Sequence, residues 1–261
     1  MIVSTDTVDL RAGDGVMRCF FARPKAAGRY PGIVFYSDIF QLSGPMLRAC
    51  VRLAGHGFSV LAPEIYRRIE PPGSVIPFDD AGRTRGLADA LRTPVAHFDE
   101  DCRIALDHLS QHTAVLPGEL GAAGFCIGGH LAFRAAMQQD VKATVCFYGT
   151  GIHNGKLGLD EDAGSLQRAG ELRGRLLLVW GTSDPHIPAE GRATIEHALR
   201  AARVTFEERL YPAEHAFMRD EGPRFDPWAT DQAFNAAVAF FRTAFPTLGN
   251  GSARASGPAG G

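Results

Sequence analysis

Between Leu120 and Gln138 the chain passes from an apolar stretch, Leu120 to Gly124, through Gly124-Phe125-Cys126-Ile127-Gly128-Gly129 into a helix-forming stretch, His130 to Gln138. A strand, a tight turn and a helix in that order put Cys126 on the crest of a sharp bend. Glycines two places before and two places after the cysteine suit such a bend, because strand and helix pass close together and side chains would crowd a strained turn. A helix that begins just after Cys126 also turns unpaired N–H groups toward the sulfur, which favours a negatively charged thiolate. The plain alternative is a cysteine that acts as a small buried hydrophobe in a glycine-rich turn.

Around this bend, apolar strands alternate with helical patterns. Tyr30 to Tyr36 reads as a buried strand, Gly44 to Ala54 as a helix and Phe58 to Ala62 as a second strand, with Gly55 and Gly57 as helix stop and turn. Pro63 to Pro94, rich in proline, glycine and arginine, reads as irregular, and a helix follows from about Ala96 to Gln111. Ala143 to Tyr148, Arg175 to Trp180 and Val204 to Leu210 read as strands, and Ala189 to Ala201 and Asp231 to Phe245 as helices. Val3 to Leu10 and Val16 to Ala22, joined at Gly13-Asp14-Gly15, form an antiparallel edge. The order predicts an α/β protein with a mostly parallel central sheet and helices on both faces. Ligands bind such sheets beyond the carboxyl ends of the strands. A chain of 261 residues can bury one large core. Residues 1–246 are therefore expected to be a single domain with a short irregular insertion at about 63–94, and 247–261 a disordered tail.

A net charge of -2 with scattered arginines argues against nucleic-acid binding, and no apolar run reaches the roughly 18 residues of a membrane span. The five cysteines are odd in number with no close pair, and the N-terminus lacks a secretory signal, so a cytoplasmic location is expected. The histidines show no metal-ligand spacing and the glycines no nucleotide-binding pattern; neither metal nor cofactor is expected.

Two further loops follow predicted strands. Arg175 to Trp180 runs into Gly181-Thr182-Ser183-Asp184, and Val204 to Leu210 runs into Tyr211-Pro212-Ala213-Glu214-His215. The order Cys126, Asp184, His215 is nucleophile, acid, base, the chain order of the α/β-hydrolase triad, and each member follows its own strand. His215 would take the proton of Cys126, while Asp184 fixes the imidazole tautomer and supports its charged form. The oxyanion formed by attack on an ester or lactone carbonyl would meet the N–H of Ile127 and that of Ile39. A helix-capping Asp184 and a surface His215 are the structural alternatives.

With Asp38-Ile39-Phe40, Ala62-Pro63-Glu64-Ile65-Tyr66, Gly181-Thr182-Ser183-Asp184 and His215-Ala216-Phe217-Met218-Arg219, the cysteine turn resembles the dienelactone hydrolase (carboxymethylenebutenolidase) family. The likeness runs from about Gly15 to Phe245. It implies the α/β-hydrolase fold and hydrolysis, without cofactor, of cyclic enol-lactones from aromatic ring degradation. It also implies a cysteine held in check by an acidic side chain until substrate arrives, and arginines that receive the substrate's carboxylate. That gatekeeper falls on Asp38, where the family's usual glutamate is one methylene longer, so the contact with the thiol is expected to be lost, moved or bridged by water. One substrate arginine falls on Arg219. The other lies where Arg83, Arg85 and Arg92 compete; Arg85 is carried forward, with Tyr66 and Phe40, as lining the substrate site. Glu214, in place of a common glycine, could raise the pKa of His215 or repel a carboxylated substrate.

The expected partner is a small-molecule lactone or ester, with or without a carboxylate, processed through a thioester acyl-enzyme. The alternatives are a small-ester carboxylesterase or acyl transferase without dienelactone selectivity, or a hydrolase-like binding protein.

Overall fold

The computed structural model describes residues 1–138 and 140–246, so the tail expected at 247–261 lies outside the described residues. The chain opens with β1 (Val3–Ala12) and β2 (Gly15–Pro24), an antiparallel hairpin whose pairing runs from Val3 opposite Pro24 to Ala12 opposite Gly15. Then follow β3 (Tyr30–Tyr36), α1 (Gly44–Gly55), β4 (Ser59–Pro63), α2 (Asp80–Arg92), α3 (Val95–Gln111) and β5 (Val115–Phe125). The rest is α4 (Ile127–Ala135), β6 (Val141–Phe147), β7 (Arg175–Gly181), α5 (Ala189–Ala201), β8 (Phe206–Tyr211) and α6 (Pro227–Ala244). The eight strands make one sheet in the order β1-β2-β4-β3-β5-β6-β7-β8. β2 joins β4 antiparallel, and every pairing from β4 to β8 is parallel.

A sheet buried on both faces needs strands that are apolar at nearly every position, and β3, β4 and β7 meet this requirement almost throughout. The connection β3–α1–β4 steps across the sheet in one direction, whereas β5–α4–β6 and β7–α5–β8 step in the other. With right-handed crossovers the two sets of helices lie on opposite faces. Side chains tie each layer together. Arg52 of α1 sits 4.1 Å over the ring of Phe234 in α6, while Arg134 of α4 donates to Asp99 of α3 at 2.8 Å. This is the α/β-hydrolase fold.

The insertion expected to be irregular over 63–94 is so only to residue 79; residues 80–92 form α2. Asp79 caps that helix by accepting from the N–H of Gly82 at 2.7 Å. Its glycines, part of the composition that made the section read as irregular, serve close packing: a Cβ on Gly86 would lie 2.4 Å from the carbonyl oxygen of Ile39. α2 is thereby held against the loop after β3. Among the described residues no helix is long and apolar enough to cross a membrane.

Candidate active site

β5 delivers Cys126 to the carboxyl end of the sheet and α4 begins at the next residue. Cys126 has φ 58° and ψ -120°, strained for an L-residue and held by its flanks. Its N–H donates to the carbonyl of Phe147 at 3.1 Å and its carbonyl accepts from Gly129 at 2.9 Å. Gly124 permits the turn because a Cβ there would lie 1.9 Å from the carbonyl oxygen of Gly128. Cys126 is half-buried, whereas the other four cysteines are buried. Burial pushes the thiol of Cys102 up to about 12 and those of Cys19, Cys50 and Cys146 further still. The hydroxyl of Thr150 lies 3.9 Å from the Cys126 sulfur.

Asp184 and His215 leave the ends of β7 and β8, adjacent parallel strands in register from Leu176 opposite Phe206 to Gly181 opposite Tyr211. His215 Nδ1 meets Asp184 Oδ2 at 2.7 Å, with both side chains buried. The other carboxylate oxygen accepts from the backbone N–H of His186 at 2.8 Å, which fixes the plane of the acid. The His186 ring packs edge-on against that of His215, with centroids 4.7 Å apart. Burial alone would lower the pKa of His215, but the negative charge of Cys126 and the bond from Asp184 outweigh it and raise it to about 9. Glu214 is exposed and lines no part of the cavity.

Cys126, His215, Ile39, Phe40, Ile127 and Arg219 line one cavity of about 1210 Å³. Asp184 stands behind His215. The N–H of Ile127, the first helical residue of α4, has no acceptor within its helix. That of Ile39 finds none among the described residues.

The other residues singled out from the sequence are placed differently from expectation. Asp38 does not reach the thiol: one carboxylate oxygen accepts from the N–H of Phe40 at 2.9 Å and the other from Arg219. Both oxygens are thus committed elsewhere, and no hydrogen bond joins Asp38 to the sulfur among the described residues. Burial pushes the Asp38 pKa up against the pull of Arg219. Arg219 is not the surface arginine that Asp220 or Glu221 would hold; those two pair with Arg48. Its guanidinium lies against the rings of Phe40 and Phe78, 4.4 Å from each centroid, in the corner made by two rings that meet edge to face with centroids 5.0 Å apart. Its Nε and Nη1 are buried without an acceptor among the described residues.

Arg85 is not at the cavity. It is drawn away by Glu70, to which its Nε donates at 2.6 Å, and Arg83, on the cavity side of α2, lines the wall instead. Tyr66 does not line the cavity either, because its ring is fully buried beneath it. Burial first, and then the charges of Cys126 and Asp38, hold its phenol well above the usual range.

Sequence reasoning passed over Thr150, Phe78, His186 and His130. Thr150 follows β6, so the rule that ligands sit beyond strand ends pointed to it. Phe78 lay in the segment read as irregular, although Val75-Ile76-Pro77-Phe78 is apolar. His130 is buried and neutral. Burial, reinforced by Arg134, lowers its pKa to about 3, and its ring bonds to the Thr150 carbonyl at 3.0 Å and Ser165 Oγ at 2.7 Å.

The family model described as the Dienelactone hydrolase family matches residues 17–245. A Saccharomyces cerevisiae protein named "Putative carboxymethylenebutenolidase" is 36% identical over 231 residues, covering 85% of this chain and 84% of that one. The "Carboxymethylenebutenolidase" of Pseudomonas sp. (strain P51) is 28% identical over 208 residues, covering 80% and 82%. The crystal structure of a "Putative Dienelactone Hydrolase" from Klebsiella pneumoniae superposes with a TM-score of 0.80 at 27% identity, covering 92% of this chain and 99% of that one. The chain belongs to the dienelactone hydrolase family of hydrolases.

Proposed function

We propose that this member of the family cleaves a carboxylic ester or lactone with Cys126 as nucleophile, His215 as base and Asp184 as its orienting acid. The observation that carries this reading is the buried pair His215–Asp184, 2.7 Å apart, at the cavity that also exposes the strained Cys126. His215 takes the thiol proton, and the pair of charges that results is the one that holds its pKa at about 9. The thiolate attacks the substrate carbonyl. The oxyanion is met by the N–H groups of Ile127 and Ile39, neither of which is committed to another acceptor among the described residues.

Collapse of the tetrahedral species breaks the bond to the leaving oxygen, which takes the proton from His215, and a thioester on Cys126 is left. Water, deprotonated by His215, attacks the thioester, and the thiol leaves with the proton. Arg219 lines the cavity, and its Nε and Nη1 groups, buried without an acceptor among the described residues, would have to turn toward the cavity to bind a further oxygen of the substrate. The test is a panel of small activated esters and lactones with the wild type and Cys126→Ala. Loss of all turnover in the variant is the expected result, and unchanged turnover overturns the mechanism.

A further inference from the structure

Four of the twelve exposed large apolar side chains among the described residues, Phe78, Leu87, Leu91 and Leu159, line the cavity that holds Cys126. Single exposed leucines need no explanation, but four large apolar groups gathered on one cavity do. Their gathering follows from local structure. Arg83, Leu87, Ala90 and Leu91 all line the cavity from α2, at the spacing that puts residues on one face of a helix. Leu87 is 45% and Leu91 64% exposed, so that apolar stripe is turned to the cavity rather than to the core.

A second segment carries Leu159, 60% exposed, together with the buried Leu157. It is fixed to the start of α3. The N–H of Leu159 donates to the carbonyl of Thr93 at 2.9 Å, and the N–H of Val95 donates to Asp160 at 2.7 Å. The two apolar walls are therefore built on hydrogen-bonded backbone. The cavity, about 1210 Å³, is larger than the roughly 300–1,000 Å³ typical of small-molecule sites. A lone lactone ring at Cys126 would leave this apolar part empty.

We propose that Leu87, Leu91 and Leu159 form a subsite for a medium-length alkyl substituent, so that the substrate is a medium-chain ester or an alkyl-bearing lactone. The proposal rests on the reading of Cys126 as nucleophile and adds the chemical class of the group carried by the scissile carbonyl.

Full burial of one methylene is worth about fourfold in binding, and a wall half open to water about twofold. From p-nitrophenyl acetate to octanoate, six methylenes, kcat/KM is expected to rise on the order of 50-fold. The double variant Leu87→Asp/Leu91→Asp, and separately Leu159→Asp, should cut that octanoate-to-acetate ratio about tenfold or more. All three side chains are exposed, so the fold should tolerate the charges. Leu210→Asp, on an exposed leucine that lines no part of the cavity, should keep the wild-type ratio. A flat chain-length series in the wild type, or a ratio preserved in both wall variants, overturns the subsite.

Absence of turnover toward every ester in the wild type would instead strike the nucleophile assignment. The subsite is then judged by calorimetric binding of 2-decanone and 2-butanone to Cys126→Ala. A decanone preference that disappears in the wall variants supports it, and equal binding of the two ketones overturns it.

Discussion

Removing the imidazole of His215 should change the pH dependence of stability in a way that isolates its charge. In the folded protein His215 is nearly inaccessible, and burial by itself would keep it neutral. The Cys126 charge and the 2.7 Å bond to Asp184 reverse that and raise its pKa from 6.5 to about 9. A folded-state pKa above the unfolded value means that the folded protein holds the proton more tightly. The resulting stabilisation is complete below about pH 6.5 and is lost as the pH rises through about 9. A shift of this size corresponds to about 3 kcal/mol. The measurement is urea unfolding of wild type and His215→Gln at pH 6 and pH 10. The difference between the two proteins removes the titrating groups that do not interact with His215, and the wild type's advantage should shrink by about 3 kcal/mol from the lower to the higher pH. A difference that stays constant across that range, or that grows with pH, would refute the charged, paired imidazole.

Brief iodoacetamide treatment should label Cys126 ahead of the other four cysteines, since it alone is not buried; peptide mass spectrometry that finds Cys102 or Cys146 labelled first would contradict the site. Arg219→Met leaves the part-buried Asp38 carboxylate without its counter-charge and should cost about 2 kcal/mol in urea unfolding, and Asp38→Asn in the same chain should recover most of it. Gly124→Ala brings a Cβ to 1.9 Å from the Gly128 carbonyl oxygen, so ester turnover should fall by at least tenfold and stability by roughly 2 kcal/mol or more. Wild-type kinetics and melting in that variant would show that the elbow can relax.

The parts of this molecule that were legible in the sequence are those in which one residue type answers one local demand. The apolar runs at Tyr30, Arg175 and the stretch before Cys126 announced buried parallel strands, and the glycines at 124 and 128 announced a close crossing. Asp184 and His215 could be found because each follows a strand and loops at strand ends converge. The readings that failed depended on partners remote in sequence. Arg85 was left undecided among three arginines until Glu70, fifteen residues away, drew it off the cavity. Helix α2 was hidden by its glycines, because composition does not tell a glycine that breaks a helix from one that lets it press on the backbone of Ile39.

Asp38 shows the same dependence within the chemistry. A carboxylate one methylene longer could reach toward the thiol, but Asp38 stops at Arg219 and the N–H of Phe40, which take one oxygen each. With the acid committed, the sulfur has the Thr150 hydroxyl for a neighbour, and the carbonyl of the same threonine is anchored by His130. A neutral His130 with one ring nitrogen protonated can donate from Nδ1 to that carbonyl and accept at Nε2 from Ser165, whose oxygen in turn accepts from Arg134 at 3.0 Å. Its low pKa keeps the imidazole uncharged through the neutral range. Arg219 is neutralised by Asp38 and packed against two aromatic rings, and among the described residues only its Nε and Nη1 lack a partner. An arginine held in this way is a weak attractor of anions from solution, which accords with the proposal that the leucine wall beside α2 discriminates among substrates by their apolar bulk.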